Sequence, residues 1–486
     1  MLASTVFNAY VGVVMGEVVR DELPVVVIGA GPVGLAAAAH LLERGLEPVV
    51  LEAGEGPGAA IASWGHVRLF SPWRYDVDAA ARRLLEPTGW VEPDADDLPT
   101  GAELVERYLA PLAATPQIAS RLRTGTRVLA VARDGADKTR SLGRERRAYR
   151  VRTVDGDGVV GDVLARAVID ASGTFSTSNP LGVSGLPAVG EAQAAGYVTG
   201  PLPDVLGSQR DRFAGRHTLV VGMGHSAANT LLSLVELAEV EPGTTITWAI
   251  RGGSARRLFG GGTDDELPAR GLLGTRLRAA VEAGRLTLLT RFSIERLEPG
   301  GETVRVLGTV REEALELDVH QIVNATGFRP DLDMLREVRL DLDPVVEAPT
   351  ALAPLIDPNQ HSCGTVPPHG ERVLSHPDDG FYLAGMKSYG RAPTFLLATG
   401  YEQVRSIAAA LAGDRAAADA VELNLPATGV CSTDLALEAD GESTGGSCCG
   451  TAPAEPQLVT LGVGAPAGVG FATGIVHGRS GDGQDA

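Results

Sequence analysis

Gly29, Gly31 and Gly34 fall at GxGxxG spacing between an apolar run, Val25 to Ile28, and an alanine-rich stretch, Leu35 to Arg44. That spacing suits a pyrophosphate. Gly29 allows a tight turn, Gly31 lets backbone approach the phosphates, Gly34 lets the helix pack close to the strand, and the helix N-terminus offers free N–H groups. In a chain with 61 glycines the motif alone is weak. A second apolar run, Pro48 to Leu51, strengthens it by ending in Glu52, about 20 residues past the turn, where a carboxylate can accept from ribose hydroxyls. Gly29, Gly31, Pro32, Gly34 and Glu52 are therefore the expected contacts of a dinucleotide.

The pattern repeats with a different ending. His217 to Val221 is a second apolar strand, Gly222-Met223-Gly224-His225-Ser226-Ala227 a GxGxxA turn, and Ala228 to Val240 an apolar helix. Here Gly222, Gly224, His225, Ser226 and Ala227 are the expected contacts. The next strand, Thr244 to Ile250, ends in Arg251, with Arg256 and Arg257 close behind. A guanidinium binds a ribose 2′-phosphate with two parallel hydrogen bonds where a carboxylate would repel it, so this site reads as an NADPH site; the plain alternative is a surface arginine cluster. Two unequal turns imply two cofactors, and tight FAD with exchangeable NADPH is the natural pairing.

The elements around these turns must position them. Trp64 to Trp73 is dense in aromatics for a chain that is 5% aromatic, and Trp64 and Arg68 are candidate contacts for a planar ring. Core packing explains the segment equally well. Thr100 caps a helix over Gly101 to Leu112. Thr126 to Ala132, with Val128 as a further candidate contact, and Tyr149 to Val154 alternate as strands, separated by a charged stretch, Asp134 to Arg147, read as a solvated loop. Ala167 to Asp170 runs into Ala171-Ser172-Gly173, and Val319 to Val323 into Asn324-Ala325-Thr326-Gly327; small residues there permit close approach to a cofactor. Short strands are expected over Arg285 to Thr290, Ser293 to Leu297, Thr303 to Leu307 and Ala314 to Leu317. Gly380 to Met386, containing Gly385, ends a last strand, and a helix follows over Thr394 to Leu411.

The expected fold is α/β, with two Rossmann-like dinucleotide-binding domains, the FAD domain interrupted by the NADPH domain, and a flexible C-terminal tail. Residues 1–22 form an N-terminal extension, 23–205 the first part of the FAD domain, 206–330 the NADPH domain, 331–412 the second part of the FAD domain, and 413–486 the cysteine-containing tail. A net charge of −19 argues against nucleic acid, whose phosphates would be repelled. The longest apolar candidate, Leu23 to Leu42, is broken by Gly29, Gly31, Pro32 and Gly34, so no membrane span is expected. Met1 to Glu22 lacks a basic n-region and a clear cleavage site, Met15 could be the natural start, and a cytoplasmic protein follows. Four cysteines in 486 residues make no disulfide framework, and reduced thiols are expected.

As a set, Gly29, Gly31, Gly34 and Glu52, the Ala171-Ser172-Gly173 and Asn324 to Pro330 turns, Gly222, Gly224 and Ala227, and the Gly380 to Gly385 strand resemble the two-dinucleotide-binding-domain flavoproteins. Thioredoxin reductase-like enzymes and flavin-containing monooxygenases belong to that superfamily, and the resemblance spans roughly Leu23 to Ala412. It implies FAD at the first turn and NADPH at the second. Disulfide reductases of the superfamily carry a CxxC or CxxxxC pair on the flavin, and this chain has none, which points to O₂ as the electron acceptor. The monooxygenase fingerprint FxGxxxHxxx followed by Trp or Phe is also missing. The crossover, Pro180 to Asp211, offers Gly190 and Tyr197, and Phe213 follows it, without the histidine.

Cys431, Cys448 and Cys449 place three thiols near the C-terminus, a trap for a soft metal or metalloid. With Gly385 to Phe395, this tail resembles the flavin monooxygenase-like proteins encoded with arsenic-resistance genes, which implies a small soft nucleophile, such as an arsenic(III) species, as substrate with O₂. Two alternatives stand beside it: a reductase that passes electrons through the tail dithiol, and a non-catalytic thiol-based sensor that keeps FAD. His66 and Lys387, with Trp64 and His225, are candidates for lining the flavin cavity. A homodimer is one assembly the chain could adopt.

Overall fold

Four consecutive β-branched residues, Val25–Ile28, form strand β1, and all four are buried, as expected for a central parallel strand covered on both faces. In the computed structural model, which describes residues 20–259, 268–357, 366–393 and 395–423, β1 pairs with β2 (Pro48–Leu51) on one side and with β7 (Ala167–Asp170) on the other. β3 (Leu122–Arg123) continues beyond β2, and β16 (Phe381–Leu383) beyond β7, all parallel. A second parallel sheet follows. β9 (His217–Val221) is its centre, with β10 (Thr245–Ala249) and β11 (Thr287–Leu289) on one side, and β15 (Gln321–Asn324) and β8 (Val198–Thr199) on the other. The two sheets have the same strand order: β16-β7-β1-β2-β3 matches β8-β15-β9-β10-β11 position by position. β8 precedes residue 206, so the second sheet draws its edge strand from the crossover segment.

The duplication extends to the insertions. β4 (Arg127–Arg133), β5 (Tyr149–Val154) and β6 (Val160–Ala165) form an antiparallel sheet between β3 and β7, and β12 (Phe292–Gly300), β13 (Thr303–Val310) and β14 (Glu313–Val319) form one between β11 and β15. The stretch 134–147, expected to be a solvated loop, is pinned instead. Arg144 is buried and donates to both carboxylate oxygens of Asp378 at 2.7 Å, while the Arg133 guanidinium lies 3.9 Å from the Tyr149 ring centre. The partner is 234 residues away, beyond the reach of any local pattern.

Helix α1 (Pro32–Glu43) covers the first sheet and is buried over most of its length, its Ala36–Ala39 run allowing close contact with α6 (Leu397–Leu411). α2 (Trp73–Asp76) and α3 (Ala79–Leu85), capped by Asp78, lie beside it. Thr100 caps the next helix as expected, in a capping box with Glu103, and the helix passes through a π turn at Val105–Leu109. α4 (His225–Val240) and α5 (Pro268–Glu282) pack on the second sheet. Packed structure continues past Ala412, where little was expected. α7 (Arg415–Asp419) is held by the Arg415–Glu371 and Arg372–Asp419 ion pairs, at 2.7 and 2.6 Å. Among the described residues, no helix is long and apolar enough to cross a membrane.

Candidate functional site

The first glycine turn is built to keep its helix end open. Gly29 has φ +97°, and a Cβ there would lie 2.9 Å from the Ala171 carbonyl oxygen; a Cβ on Gly34 would lie 1.9 Å from the Gly29 carbonyl oxygen. Both positions thus require glycine. Gly31, the N-cap of α1, faces open space, and no side chain caps the helix. Its first-turn N–H groups are therefore available to an anion. Glu52 does more than await a ribose: its two carboxylate oxygens accept from the Ala30 and Gly54 N–H groups, each at 2.7 Å, and so hold the turn.

The second turn repeats the geometry with different side chains. Gly222 has φ +135°, and a Cβ there would lie 2.0 Å from the Ala325 carbonyl oxygen, while Gly224 again faces open space at an N-terminus without a side-chain cap. Ala227, buried, stands where Gly34 stands in the first copy. Trp248 donates its indole N–H to the Gly222 carbonyl at 2.7 Å, a brace the first turn lacks. Gly29 N–H donates to Leu51 and Gly222 N–H to Ala249, so the counterpart of Glu52 is Ile250, buried, and Arg251 is one residue further on and exposed. No carboxylate therefore lies at the strand end of the second turn. Arg291 adds a second guanidinium: its backbone N–H donates to the Gly252 carbonyl at 3.0 Å, and its guanidinium lies against Gly253.

The turns that follow β7 and β15 are also copies. Asp170 Oδ1 accepts from the Ser172 N–H and hydroxyl at 3.1 and 2.6 Å, and Asn324 Oδ1 accepts from the Thr326 N–H and hydroxyl at 3.2 and 2.6 Å. Only the first copy is charged. Lys387 Nζ meets Asp170 Oδ2 at 2.7 Å and donates to the Ser172 hydroxyl at 3.0 Å, with both charged groups buried. Lys387 thus belongs to the frame behind the Ala171-Ser172-Gly173 turn, not to the cavity lining expected for it. Gly385, at φ +67°, abuts Val33 of α1, and its N–H donates to Gln403 Oε1 at 2.8 Å.

A cavity of about 340 Å³ opens where the two halves meet. Trp64, Arg68, Phe70, Ser71, Phe175, Phe328, Phe395 and the α4 residues His225, Ser226 and Asn229 line it. Aromatic rings cluster in the walls: Trp64 and Phe175 are 6.5 Å apart, Phe175 and Phe328 5.2 Å, and Phe70 meets His225 edge-on at 5.2 Å. Phe175 and Phe328 follow the two copied turns, one from each half, but at positions one residue apart in register: Phe328 stands opposite Thr174. A larger cavity, about 470 Å³, lies between α1, α3 and α6, but neither glycine turn lines it, and its Arg83, Arg405 and His40 are paired with Glu43, Glu402 and Asp78.

Of the residues expected from sequence, Trp64, Arg68, His225 and Ser226 line the aromatic cleft, whereas His66 is exposed and lines neither cavity. Val128 packs in the core with Ile28 and Leu51. Ala171, Ser172, Gly173 and Ala325, Thr326, Gly327 form the paired turns already described. Cys363, Cys431, Cys448 and Cys449 lie outside the described residues, and among those described no cluster of His, Cys, Asp or Glu could hold a metal ion. The residue that sequence reasoning missed is Asp76. Its side chain is fully buried, one oxygen accepts from the Ser71 hydroxyl at 2.7 Å, and the other has no hydrogen-bond partner. Burial pushes its carboxyl up to about 7 against the opposing pull of Ser71. The only sequence signal was an acid beside the buried Trp73.

Three solved structures show the same architecture. Bacillithiol disulfide reductase Bdr (YpdA) from Bacillus cereus is 20% identical, with a TM-score of 0.60, covering 80% of this chain and 99% of that one. The cadaverine monooxygenase DfoA of Erwinia amylovora, solved with FAD, is 15% identical, with a TM-score of 0.56 and coverage of 85% and 99%. The ornithine N-hydroxylase KtzI of Kutzneria sp. 744, solved with reduced FAD, NADP⁺ and L-ornithine, is 18% identical, with a TM-score of 0.54 and coverage of 81% and 99%. At these identities the likeness is one of fold. No curated protein matches the chain. Residues 26–363 match the family described as Pyridine nucleotide-disulphide oxidoreductase, and a match over that much of the sequence makes this chain a member of that family of oxidoreductases.

Proposed function

We propose that the protein is an FAD- and NADPH-dependent oxidoreductase acting as a flavin monooxygenase on a small soft nucleophile, with arsenic(III) species as the favoured class. The observation that carries this reading is the pair of open helix N-termini, at Gly31 and Gly224, the second of which borders the aromatic cleft through His225 and Ser226. The first takes the FAD pyrophosphate, with Glu52 holding the turn and the Ala171 to Gly173 backbone close by. The second takes NADPH, with Arg251 reading the 2′-phosphate, because Ile250 leaves no carboxylate to oppose it. Bound FAD supplies the means to accept a hydride from NADPH and pass its electrons to O₂. The chain's own part is to orient and enclose. Trp64, Phe175 and Phe328 form an apolar wall that excludes water and favours a planar ring or a soft, weakly hydrated substrate.

An oxygen acceptor is favoured over a disulfide because the sequence carries no CxxC or CxxxxC pair. The test is NADPH oxidation by the purified yellow protein, with and without O₂, with arsenite as the trial substrate. Oxygen-dependent, arsenite-stimulated turnover supports the proposal. Anaerobic turnover abolished by Cys448→Ser and Cys449→Ser replaces it with a dithiol reductase, and absence of any NADPH oxidation overturns both.

A further inference from the structure

Ser71 lies at the wall of the aromatic cleft, and behind it Asp76 is fully buried with one carboxyl oxygen on the Ser71 hydroxyl and the other unpartnered. A buried carboxylate normally collects two or more donors, and this one has a single neutral donor. The surrounding groups offer no compensation. Tyr401 of α6 donates to the Asp76 backbone carbonyl, not to its carboxyl, at 2.7 Å; Asp78 is engaged by His40 and by its cap of α3; the Tyr108 hydroxyl meets the Asp78 N–H; Arg74 turns outward to Asp96. Among the described residues no cation faces the carboxyl. The site therefore favours a neutral acid whose proton has one exit, through Ser71.

We propose that Asp76 and Ser71 form a proton relay into the aromatic cleft, with the carboxyl as store and the hydroxyl as carrier. The inference rests on the cleft being the site of NADPH oxidation, but not on which acceptor is used. Monooxygenation consumes a proton, as NADPH + H⁺ + O₂ + S gives NADP⁺ + SO + H₂O, and disulfide reduction does too, as NADPH + H⁺ + RSSR gives NADP⁺ + 2 RSH. In the relay step the Ser71 hydroxyl turns its O–H toward the cleft and the acid proton sits on Oδ1. The Asp76 Oδ1–H bond breaks and its proton moves to Ser71 Oγ, while the Ser71 O–H proton passes to a basic oxygen or sulfur of the bound reactant. The freed electron pair stays on the Asp76 carboxylate. Water entering the emptied cleft returns a proton by the same hydroxyl.

The experiment uses the full-length purified protein and its Asp76→Asn, Ser71→Ala and Ser71→Thr variants. Difference infrared spectra should show a carboxylic acid C=O band that titrates near neutral pH, vanishes in Asp76→Asn, and moves to higher pH in Ser71→Ala, which has lost the donor that stabilises the carboxylate. In turnover, Asp76→Asn and Ser71→Ala should each lower kcat about 100-fold and abolish the pH dependence on the alkaline side, with Ser71→Thr near wild type and KM for NADPH unchanged. A band absent from wild type, or an unaltered pH profile in Asp76→Asn, overturns the relay. Failure of NADPH to bleach the flavin in wild type overturns the oxidoreductase reading instead, and the infrared arm still reports on Asp76.

Discussion

Removing the charge of Lys387 should destabilise the first half of the molecule severely, and removing its partner as well should restore it. Lys387 and Asp170 meet at 2.7 Å with side chains 1% and 0% exposed, so Lys387→Met leaves a carboxylate stranded in the core. Breaking a buried pair from one side costs about 3–5 kcal/mol, whereas replacing the whole pair is often neutral. The second half shows that the neutral solution works: Asn324 makes the same two bonds to Thr326, with no lysine, and its amide donates to the Asn179 carbonyl at 2.9 Å. Asp170→Asn with Lys387→Met should therefore lie within about 1.5 kcal/mol of wild type, for a coupling energy above ~2 kcal/mol. Urea titration of the apo-protein, followed by tryptophan fluorescence, measures it. Trp64, Trp73 and Trp90 report on the first half and Trp248 on the second. A single variant losing less than about 1 kcal/mol, or a double variant no better than the single, would refute the reading that a buried Asp170 needs Lys387 only to offset its charge, its hold on the turn being available to a neutral amide.

Gly34→Ala should yield protein that cannot retain flavin, read as the ratio of visible to ultraviolet absorbance, because its Cβ would collide with the Gly29 carbonyl at 1.9 Å. Ala227→Gly, at the equivalent place in the second turn, should bind NADPH within about threefold of wild type, since only a helix-propensity term of ~1 kcal/mol is at stake. Arg251→Glu should weaken NADPH at least about tenfold and leave NADH nearly unchanged in KM measurements; equal losses would remove Arg251 from the 2′-phosphate site. Asp76→Asn should change how stability depends on pH. The Asp76 carboxyl is raised from 3.8 to about 7 in the folded protein, so its contribution is complete below about pH 4 and is lost as pH rises through about 7, to the extent of roughly 4 kcal/mol. The variant should thus gain on wild type between pH 5 and 8 in thermal melts, and parallel curves would show that the carboxyl is not neutral in the core.

What could be read from sequence and what could not differ in the range of the interactions involved. The glycine turns, β1 and β9, the Thr100 cap and the small-residue turns after β7 and β15 are set by neighbours within a few residues, and their periodicity and spacing state them directly. Arg144 looked solvated because its context is charged; its burial depends on Asp378, which no local window contains. Lys387 looked like a cavity residue for the same reason, its partner Asp170 lying on a strand far back in the chain. Asp76 carried no signal, since an acid in a polar-to-aromatic segment looks exposed until the fold closes over it. The second site's register also needed the fold, which places buried Ile250 where the first half has Glu52 and moves Arg251 one step outward. The duplicated scaffold explains why these exceptions matter. Two halves with one strand order, matching insertions and matching glycine turns would by symmetry alone build two similar nucleotide sites. The differences sit at single positions on equivalent frames: Glu52 against Ile250, Gly34 against Ala227, and Asp170 with Lys387 against Asn324. The first half spends its charged side chains on holding its own backbone still, through the Glu52 and Asp170 networks, and the second replaces both with neutral groups and leaves Arg251 exposed. A rigid turn suits a cofactor that stays and an exposed cation suits one that comes and goes, which is the asymmetry an enzyme with one resident and one exchangeable dinucleotide requires.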